Sequence, residues 1–371
     1  MQILATGGAG YVGSTVVRSL LARGHKCLVY DNLTTGHRAA VPADCLIEAD
    51  LADPDNLRKL LKKHKFDAVI HFAASIAVGE SVINPRLYYH NNVANSLNLL
   101  EVMVDCHIKR ILFSSTAAVY APVNASVNAS VNEGLLTEQS PISPASPYAV
   151  TKYTIERMIQ DFSAAYDMRY MILRYFNACG GDPEGRFGEA HEPETHLIPL
   201  VLQVPLGKRD KITVFGRDYD TPDGTCIRDY IHVNDLAAGH IRALSALTPG
   251  GDDKSGSRPE RDGIGSTSNN NIGSTANTGI NKIGPGRGRV YNIGTGVGHS
   301  VLEVIRAAEQ VVGRKIPVEF AGRREGDVAH LVAGVEKIKQ ELGWRPAYQN
   351  LRDIIATAWR WHSTHPDGYA N

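Results

Sequence analysis

The 371-residue chain is 43% apolar and 21% charged, an ordinary globular composition that supports a large core and more than one average domain. Thirty-nine basic side chains balance thirty-nine acidic ones, so no overall field attracts nucleic acid or an anionic membrane surface. No run reaches the roughly 20 apolar residues of a membrane span, and no basic leader precedes the strand pattern at Gln2, so a cytoplasmic chain is expected. Cys27, Cys45, Cys106, Cys179 and Cys226 are scattered, with no Cys-x-x-Cys, which fits buried thiols in a reducing compartment. The histidines show no metal-ligand spacing, and no metal is expected.

In chain order, β-branched runs predict strands at 2–6, 26–31, 68–72, 110–115 and 170–173, alternating with helical patterns. Asp53-Pro54 and Asn84-Pro85 each set a capping side chain before a proline, a helix-start signal. This alternation predicts an α/β protein, a doubly wound parallel Rossmann sheet with a smaller α/β substrate lobe. A first domain is expected over 1–176, with a helix at 233–246 packing back on it. A second, smaller lobe is expected over 177–371, with a further helix at 301–312. Within that lobe 249–288 collapses to Gly, Ser, Asn, Thr and charge, and reads as a disordered insertion. The repeated Asn-Ala-Ser-Val at Asn124 and Asn128 reads as unglycosylated loop.

Gly7, Gly10 and Gly13 follow the first strand and open the first helix, where bare backbone amides can approach a pyrophosphate. Asp31 ends the second strand, placed to bind ribose hydroxyls and to repel a 2′-phosphate, which favours NAD over NADP. Asp50 and Leu51 follow the third strand beside the adenine position, and Phe72, Ala73 and Ala74 end the fourth with small residues near the cofactor. Tyr148 and Lys152 share one face of a helix beginning near Pro147, behind a strand that ends in Ser114-Ser115-Thr116. A phenol needs about 4 kcal/mol to move from pKa 10 to 7, and the Lys152 cation is expected to supply much of it.

The glycine turn, the Ser-Ser-Thr strand end, Tyr148-x-x-x-Lys152 and Arg-Tyr-Phe-Asn over 174–177 resemble the UDP-galactose 4-epimerases of the extended short-chain dehydrogenase/reductase family. Gly-Thr-Cys-Ile-Arg-Asp-Tyr-Ile-His-Val over 224–233 and Arg-Arg-Glu-Gly-Asp over 323–327 extend the resemblance across nearly the whole chain. It implies further cofactor positions at Tyr11, Val12, Asn32, Asn92 and Tyr175. It places Arg228 and Arg324 against the substrate diphosphate, Asn177, His196 and Leu197 near phosphate, and Phe215 in the uracil slot. It also places Asp327 on a ribose hydroxyl and Leu331 beside the sugar C2 substituent. The implied reaction interconverts UDP-galactose and UDP-glucose: Tyr148 with Thr116 takes the O4 proton, NAD takes the C4 hydride, and the 4-keto sugar is reduced on its other face. A homodimer built from the helices near Pro85 and Pro147 is implied as well.

Departures from the family pattern mark specific contacts. Thr116 replaces a serine but keeps the hydroxyl, whereas Ala118 replaces a threonine and Ile76 a lysine, so those two contacts are absent; His196 replaces an asparagine, and both donate a hydrogen bond. Ala117 and Ala118 supply no proton, which argues against a 4,6-dehydratase. A UDP-pentose 4-epimerase stays open as an alternative, since the reaction at C4 is identical, and a non-catalytic NAD-sensing regulator is a remoter one.

Overall fold

A computed structural model describes residues 1–121, 134–247, 288–324 and 326–370. The Asn-Ala-Ser-Val repeats and the expected insertion up to residue 287 lie outside the described residues. Gly288, assigned to that insertion from composition, is instead the first residue of a strand, and a Cβ there would stand 2.2 Å from the Tyr170 ring.

The first half alternates β1 (Gln2–Thr6), α1 (Tyr11–Leu21), β2 (Lys26–Asp31), β3 (Leu46–Glu48), α2 (Pro54–Lys63) and β4 (Ala68–His71). There follow α3 (Val78–Ile83), α4 (Pro85–Tyr88), a π-turn over Tyr89–Ala94, α5 (Asn95–Asp105), β5 (Arg110–Thr116), α6 (Pro147–Tyr166) and β6 (Arg169–Tyr175). The starts have local causes. Asp53 accepts the Asn56 amide at 3.0 Å with Pro54 behind it, and Ser146 accepts the Ala149 amide at 3.2 Å with Pro147 behind it. The prolines fix the first helical φ, and the caps satisfy an amide that has no partner in the first turn.

The second half carries β7 (Asn177–Cys179), α7 (Leu197–Gln203), β8 (Ile212–Phe215), β9 (Ile227–His232), α8 (Val233–Ala246) and β10 (Gly288–Ile293). It ends with β11 (Gly298–Ser300), α9 (Val301–Val312), β12 (Val318–Ala321), β13 (His330–Leu331), α10 (Glu336–Leu342) and α11 (Leu351–Thr364). Ser300 and Glu303 close a reciprocal capping box at the start of α9, and Gly313, at φ 77°, ends it.

Seven strands form one parallel sheet in the order β10-β6-β5-β4-β1-β2-β3. The strand order reverses between β1 and β4, which opens a crevice at their carboxyl ends. One face packs α1 and α8 through Val16, Leu20, Leu236 and Leu244, and the other packs α2, α5 and α6 through Leu57, Leu99, Met103 and Ile155. Two segments beyond residue 176 complete this half. The sequence pattern marks α8 but carries no sign of β10, a six-residue strand whose amphipathic signal is too short to stand out after a polar stretch.

The second lobe is built from short pieces: β7 and β13 pair with β9 in parallel, β11 pairs with it antiparallel, and β8 pairs with β12. Its core of Val201, Val214, Val304, Ile354 and Ile355 joins α7, α9 and α11. Among the described residues no helix is long and apolar enough to cross a membrane.

Candidate active site

The glycine turn is shaped by contacts no side chain could share. Gly7 has φ 69°, and a Cβ on it would lie 2.4 Å from the Ala73 nitrogen; one on Gly13 would lie 2.5 Å from the Gly7 carbonyl oxygen. At Gly10 the nearest atom to a Cβ would be 3.5 Å away, so this glycine lines open space instead. Gly10 is also the N-cap of α1 and gives it no side-chain cap, so the first-turn amides of Tyr11, Val12 and Gly13 face the crevice. A cradle for an anionic pyrophosphate has this form, and the residues present fit a dinucleotide.

Asp31 is 7% exposed. Its Oδ2 accepts the Ala9 amide and its Oδ1 the Leu33 amide, both at 2.9 Å, while burial raises its pKa. The carboxylate therefore first fixes the glycine turn, and the expected ribose contact falls to its remaining lone pairs. Asn32 donates to Asp50 at 2.8 Å, joining two adenine-side positions, whereas Leu51 is buried in the core under α5. Phe72, Ala73 and Ala74 are half-buried along the crevice, and the Phe72 ring lies 5.2 Å from that of His240. Asn92 is different. Its amide oxygen accepts from the Ser75 amide at 2.8 Å and its nitrogen donates to the Ser75 carbonyl and the Thr151 hydroxyl. It is fully buried, so it holds the loop after β4 in place rather than offering a free side chain to a cofactor.

Tyr148 and Lys152 both lie on the buried face of α6. The phenol shares a hydrogen bond with the Thr116 hydroxyl, and burial pushes it up to about 12 in spite of that bond. Lys152 Nζ donates to the Ser114 carbonyl at 2.8 Å, sits 5.0 Å from the centre of the Phe113 ring, and is brought down by burial to about 7. The expected lowering of the phenol by Lys152 is thus not met by these residues alone. Desolvation of the phenol outweighs the neighbouring cation, whose own charge burial disfavours and whose Nζ is turned toward a carbonyl. Tyr175 ends β6 beside them, with its hydroxyl on His240 Nε2.

Sequence patterns miss what holds this pair. One turn beyond Lys152, the fully buried Glu156 takes two bonds from Arg174, at 3.0 and 2.6 Å, and one from Ser115 at 2.5 Å. Arg174 also donates to the Tyr120 hydroxyl at 3.0 Å, which in turn bonds Asn292 on β10. Partners so distant in sequence leave no local spacing.

On the sugar side, Arg228 is held by the carbonyls of Ile227 and Val328, at 3.0 and 2.7 Å, and stands 3.5 Å from Asp327. The Arg324 guanidinium lies 3.8 Å over the Phe215 ring, so the expected diphosphate and uracil residues form one stack and share a face. Asn177 donates to the Asp229 carbonyl at 2.9 Å, and Leu197 opens α7 directly after His196. Leu331 pairs with Arg228 in the strand register and packs partly against the main core.

Asp229, which no motif role singles out, is the lobe's hub. It is fully buried and accepts from the Thr295 amide and hydroxyl, the Gly296 amide and the Ala333 amide, at 2.7 to 3.2 Å. The expectation about histidine spacing needs a correction too: Glu189, His191, Glu194 and His196 converge. Glu189 drives the His191 pKa up to about 10 and raises that of His196.

Comparison with known proteins agrees with this geometry. Residues 3–254 match the model of the NAD dependent epimerase/dehydratase family. A UDP-glucose 4-epimerase of Halalkalibacterium halodurans is 44% identical, over 100% of this chain and 98% of its own length. A crystal structure of a UDP-glucose 4-epimerase superposes with a TM-score of 0.86 at 43% identity, with both chains covered in full. The Bifidobacterium longum UDP-glucose 4-epimerase, solved in complex with NAD+ and UDP, superposes at 0.82 with 33% identity, again over both full chains. With its glycine cradle at a topological switch point and its Tyr148-Lys152 pair beside it, the chain belongs to the NAD dependent epimerase/dehydratase family.

Proposed function

We propose that this protein interconverts UDP-galactose and UDP-glucose, using NAD as a resident cofactor. The observation that carries the reading is the convergence of Tyr148, Thr116 and Lys152 on the crevice lined by Gly7, Gly10 and Gly13. When bound, NAD accepts the C4 hydride, returns it, and adds a positive ring charge near the phenol. Tyr148, with Thr116 hydrogen-bonded to it, exchanges the O4 proton. Lys152, anchored on Ser114, supplies the fixed cation that favours the phenolate, and the Glu156–Arg174 pair anchors the helix that carries both. The amides of Tyr11, Val12 and Gly13 take the pyrophosphate, Asp31 the ribose, and Asn32, Asp50 and Leu51 the adenine side. Phe72, Ala73, Ala74 and Tyr175 enclose the nicotinamide end.

On the sugar side, Arg228 and Arg324 hold the diphosphate, where guanidinium groups bind oxygens in pairs. Asn177, His196 and Leu197 take phosphate contacts, Phe215 presents its uncovered ring face to uracil, Asp327 takes a ribose hydroxyl, and Leu331 limits the C2 substituent. The two halves serve as cofactor lobe (1–176 with 233–246 and the strand at 288–293) and sugar lobe (the remainder of 177–371). Separation of products from UDP-galactose, UDP-glucose and UDP-xylose tests the assignment. Interconversion of the hexoses supports it, and conversion of UDP-xylose alone would replace it with the pentose reaction.

A homodimer is part of the same reading. Val82 at 63% exposure, Ile83 at 87% and Tyr89 at 45% leave an apolar face along α3 and the turn after α4, more than solvent favours on a free surface. Light scattering at micromolar concentration is expected to give twice the chain mass; the monomer mass would refute it. The five cysteines are free, in keeping with a reducing cytoplasm.

A further inference from the structure

The loop between β7 and α7 gathers Glu189, His191, Glu194 and His196, whose ligand-capable atoms all lie within 4.8 Å of one another. The spacing is Glu-x-His-x-x-Glu-x-His. The side chains of Glu189, Glu194 and His191 are only 2%, 6% and 17% exposed, unlike a surface acidic patch, and the group opens to solvent on the side of His196, at 43%. His191 Nδ1 is sealed from solvent and stands 3.1 Å from Glu189 Oε1 without the angle of a hydrogen bond. That leaves a buried ring nitrogen without a hydrogen-bond partner beside three other groups able to hold a cation. His191 and His196 Nδ1 lie 3.8 and 4.0 Å from Glu194 Oε1. With the 3.1 Å separation of His191 and Glu189, they fall on either side of the roughly 3.4 Å edge of a tetrahedron of ligands about 2.1 Å from zinc. His196 Nδ1 also contacts Glu189 Oε1 directly.

We infer that Glu189, His191, Glu194 and His196 form a closed, structural site for a divalent metal of the zinc class. Two imidazole nitrogens suit zinc, and two carboxylates balance its charge. Magnesium and calcium, which take six or more oxygens, are poorly served by this set. The frame is preorganised: Trp361 Nε1 donates to the Glu189 carbonyl at 2.9 Å, and His37 Nε2 lies 2.6 Å from the Ala190 carbonyl oxygen. Tyr11, the first residue of α1, donates to the Gly180 carbonyl at 2.6 Å, and its ring lies edge-on to His191. The metal closes the loop on itself, while Trp361 of α11 and the Tyr11 ring hold the closed loop against the rest of the molecule. His196 would meet the metal through Nδ1, the atom turned to Glu189, and keep Nε2 for the phosphate contact proposed above; metal content and stability report the site whatever the substrate proves to be.

The full chain, prepared without a metal-affinity tag, stripped with chelator and dialysed against zinc, is expected to hold about one equivalent by elemental analysis. Zinc is expected to raise its thermal midpoint, and magnesium or calcium to leave it unchanged. His191→Ala and Glu189→Gln are expected to lose both the zinc and the shift. Less than about a tenth of an equivalent in the native chain, with no thermal shift, would overturn the site and leave a cluster held by protons alone. A full equivalent retained in both variants would overturn it equally, by putting the zinc elsewhere. Should the variants fail to fold, the titration of the native chain decides.

Discussion

The two halves of the crevice are made by different means. The cofactor side is made by backbone: parallel strands end in a turn where Gly7 and Gly13 have no room for a Cβ, and α1 presents its first amides uncapped. The sugar side is made by individual buried side chains, since strands of two to six residues cannot define a cavity alone. Asp229 pins two loops there, and Asp235 accepts the Ala347 and Tyr348 amides, each at 2.9 Å. A site of the first kind tolerates change everywhere except at its glycines, whereas one of the second kind depends on a few hubs.

The sharpest break in that comparison comes where the halves meet. Tyr148→Phe is expected to lower turnover by at least about a hundredfold while bound NAD, measured after denaturation, stays near one per chain. Near-normal turnover would remove Tyr148 from the reaction.

Next in size is Asp229→Asn, which puts a donor where amides need an acceptor. A loss of about 2–4 kcal/mol in a denaturant titration is expected, with a raised KM for the sugar nucleotide and NAD retained. Loss of NAD together with the sugar affinity would show that the halves are not separable in this way.

A smaller effect tests the lobe's buried histidines. His232 Nδ1 caps α8 by accepting the Asn234 amide at 3.0 Å, its ring stacks on Tyr348, and burial lowers its pKa from 6.5 to about 4. Between those values the unfolded chain binds a proton that the folded chain does not, so stability is full above pH 6.5 and falls as pH drops toward 4. Asparagine keeps an acceptor at the cap and does not titrate. Between pH 7 and 5, native protein should therefore lose about 1–2 kcal/mol more than His232→Asn, read as the shift in urea midpoint. Equal losses would mean that His232 is not held neutral.

The smallest effect concerns Leu331. Leu331→Tyr is expected to lower activity on UDP-N-acetylgalactosamine relative to UDP-galactose by about tenfold, the size of a modest steric discrimination. An unchanged ratio would make Leu331 a packing residue, as its contact with the main core allows.

The same contrast decides what the sequence makes legible. β1, β2, α8 and α9 coincide with their sequence patterns, because burial on both strand faces and the caps at Asp53, Ser146 and Ser300 write periodic or local signals. The glycine turn is legible for a similar reason: each glycine answers a steric demand within a few residues. Glu156 and Asp229 are not, because their partners come from strands and loops far along the chain; at 189–196 the residues are close in sequence, and what the sequence does not write is their burial and convergence under Trp361. The phenol of Tyr148 shows a further limit, since residue spacing locates the acid and base but not how strongly burial opposes their charge.

The seventh strand carries a consequence for how the molecule can be made and cut. β10 pairs with β6 over six residues, from Gly288 against Tyr170 to Ile293 against Tyr175, and Asn292 completes the polar chain through Tyr120 and Arg174 to Glu156. During synthesis the first sheet therefore waits, with one flank of β6 unpaired, until more than a hundred further residues have emerged. An unpaired strand edge is a template for pairing with another chain. A fragment stopped after β6 would keep every residue of the glycine turn and still be prone to aggregate, so expression trials aimed at the cofactor half must carry the chain through Ile293.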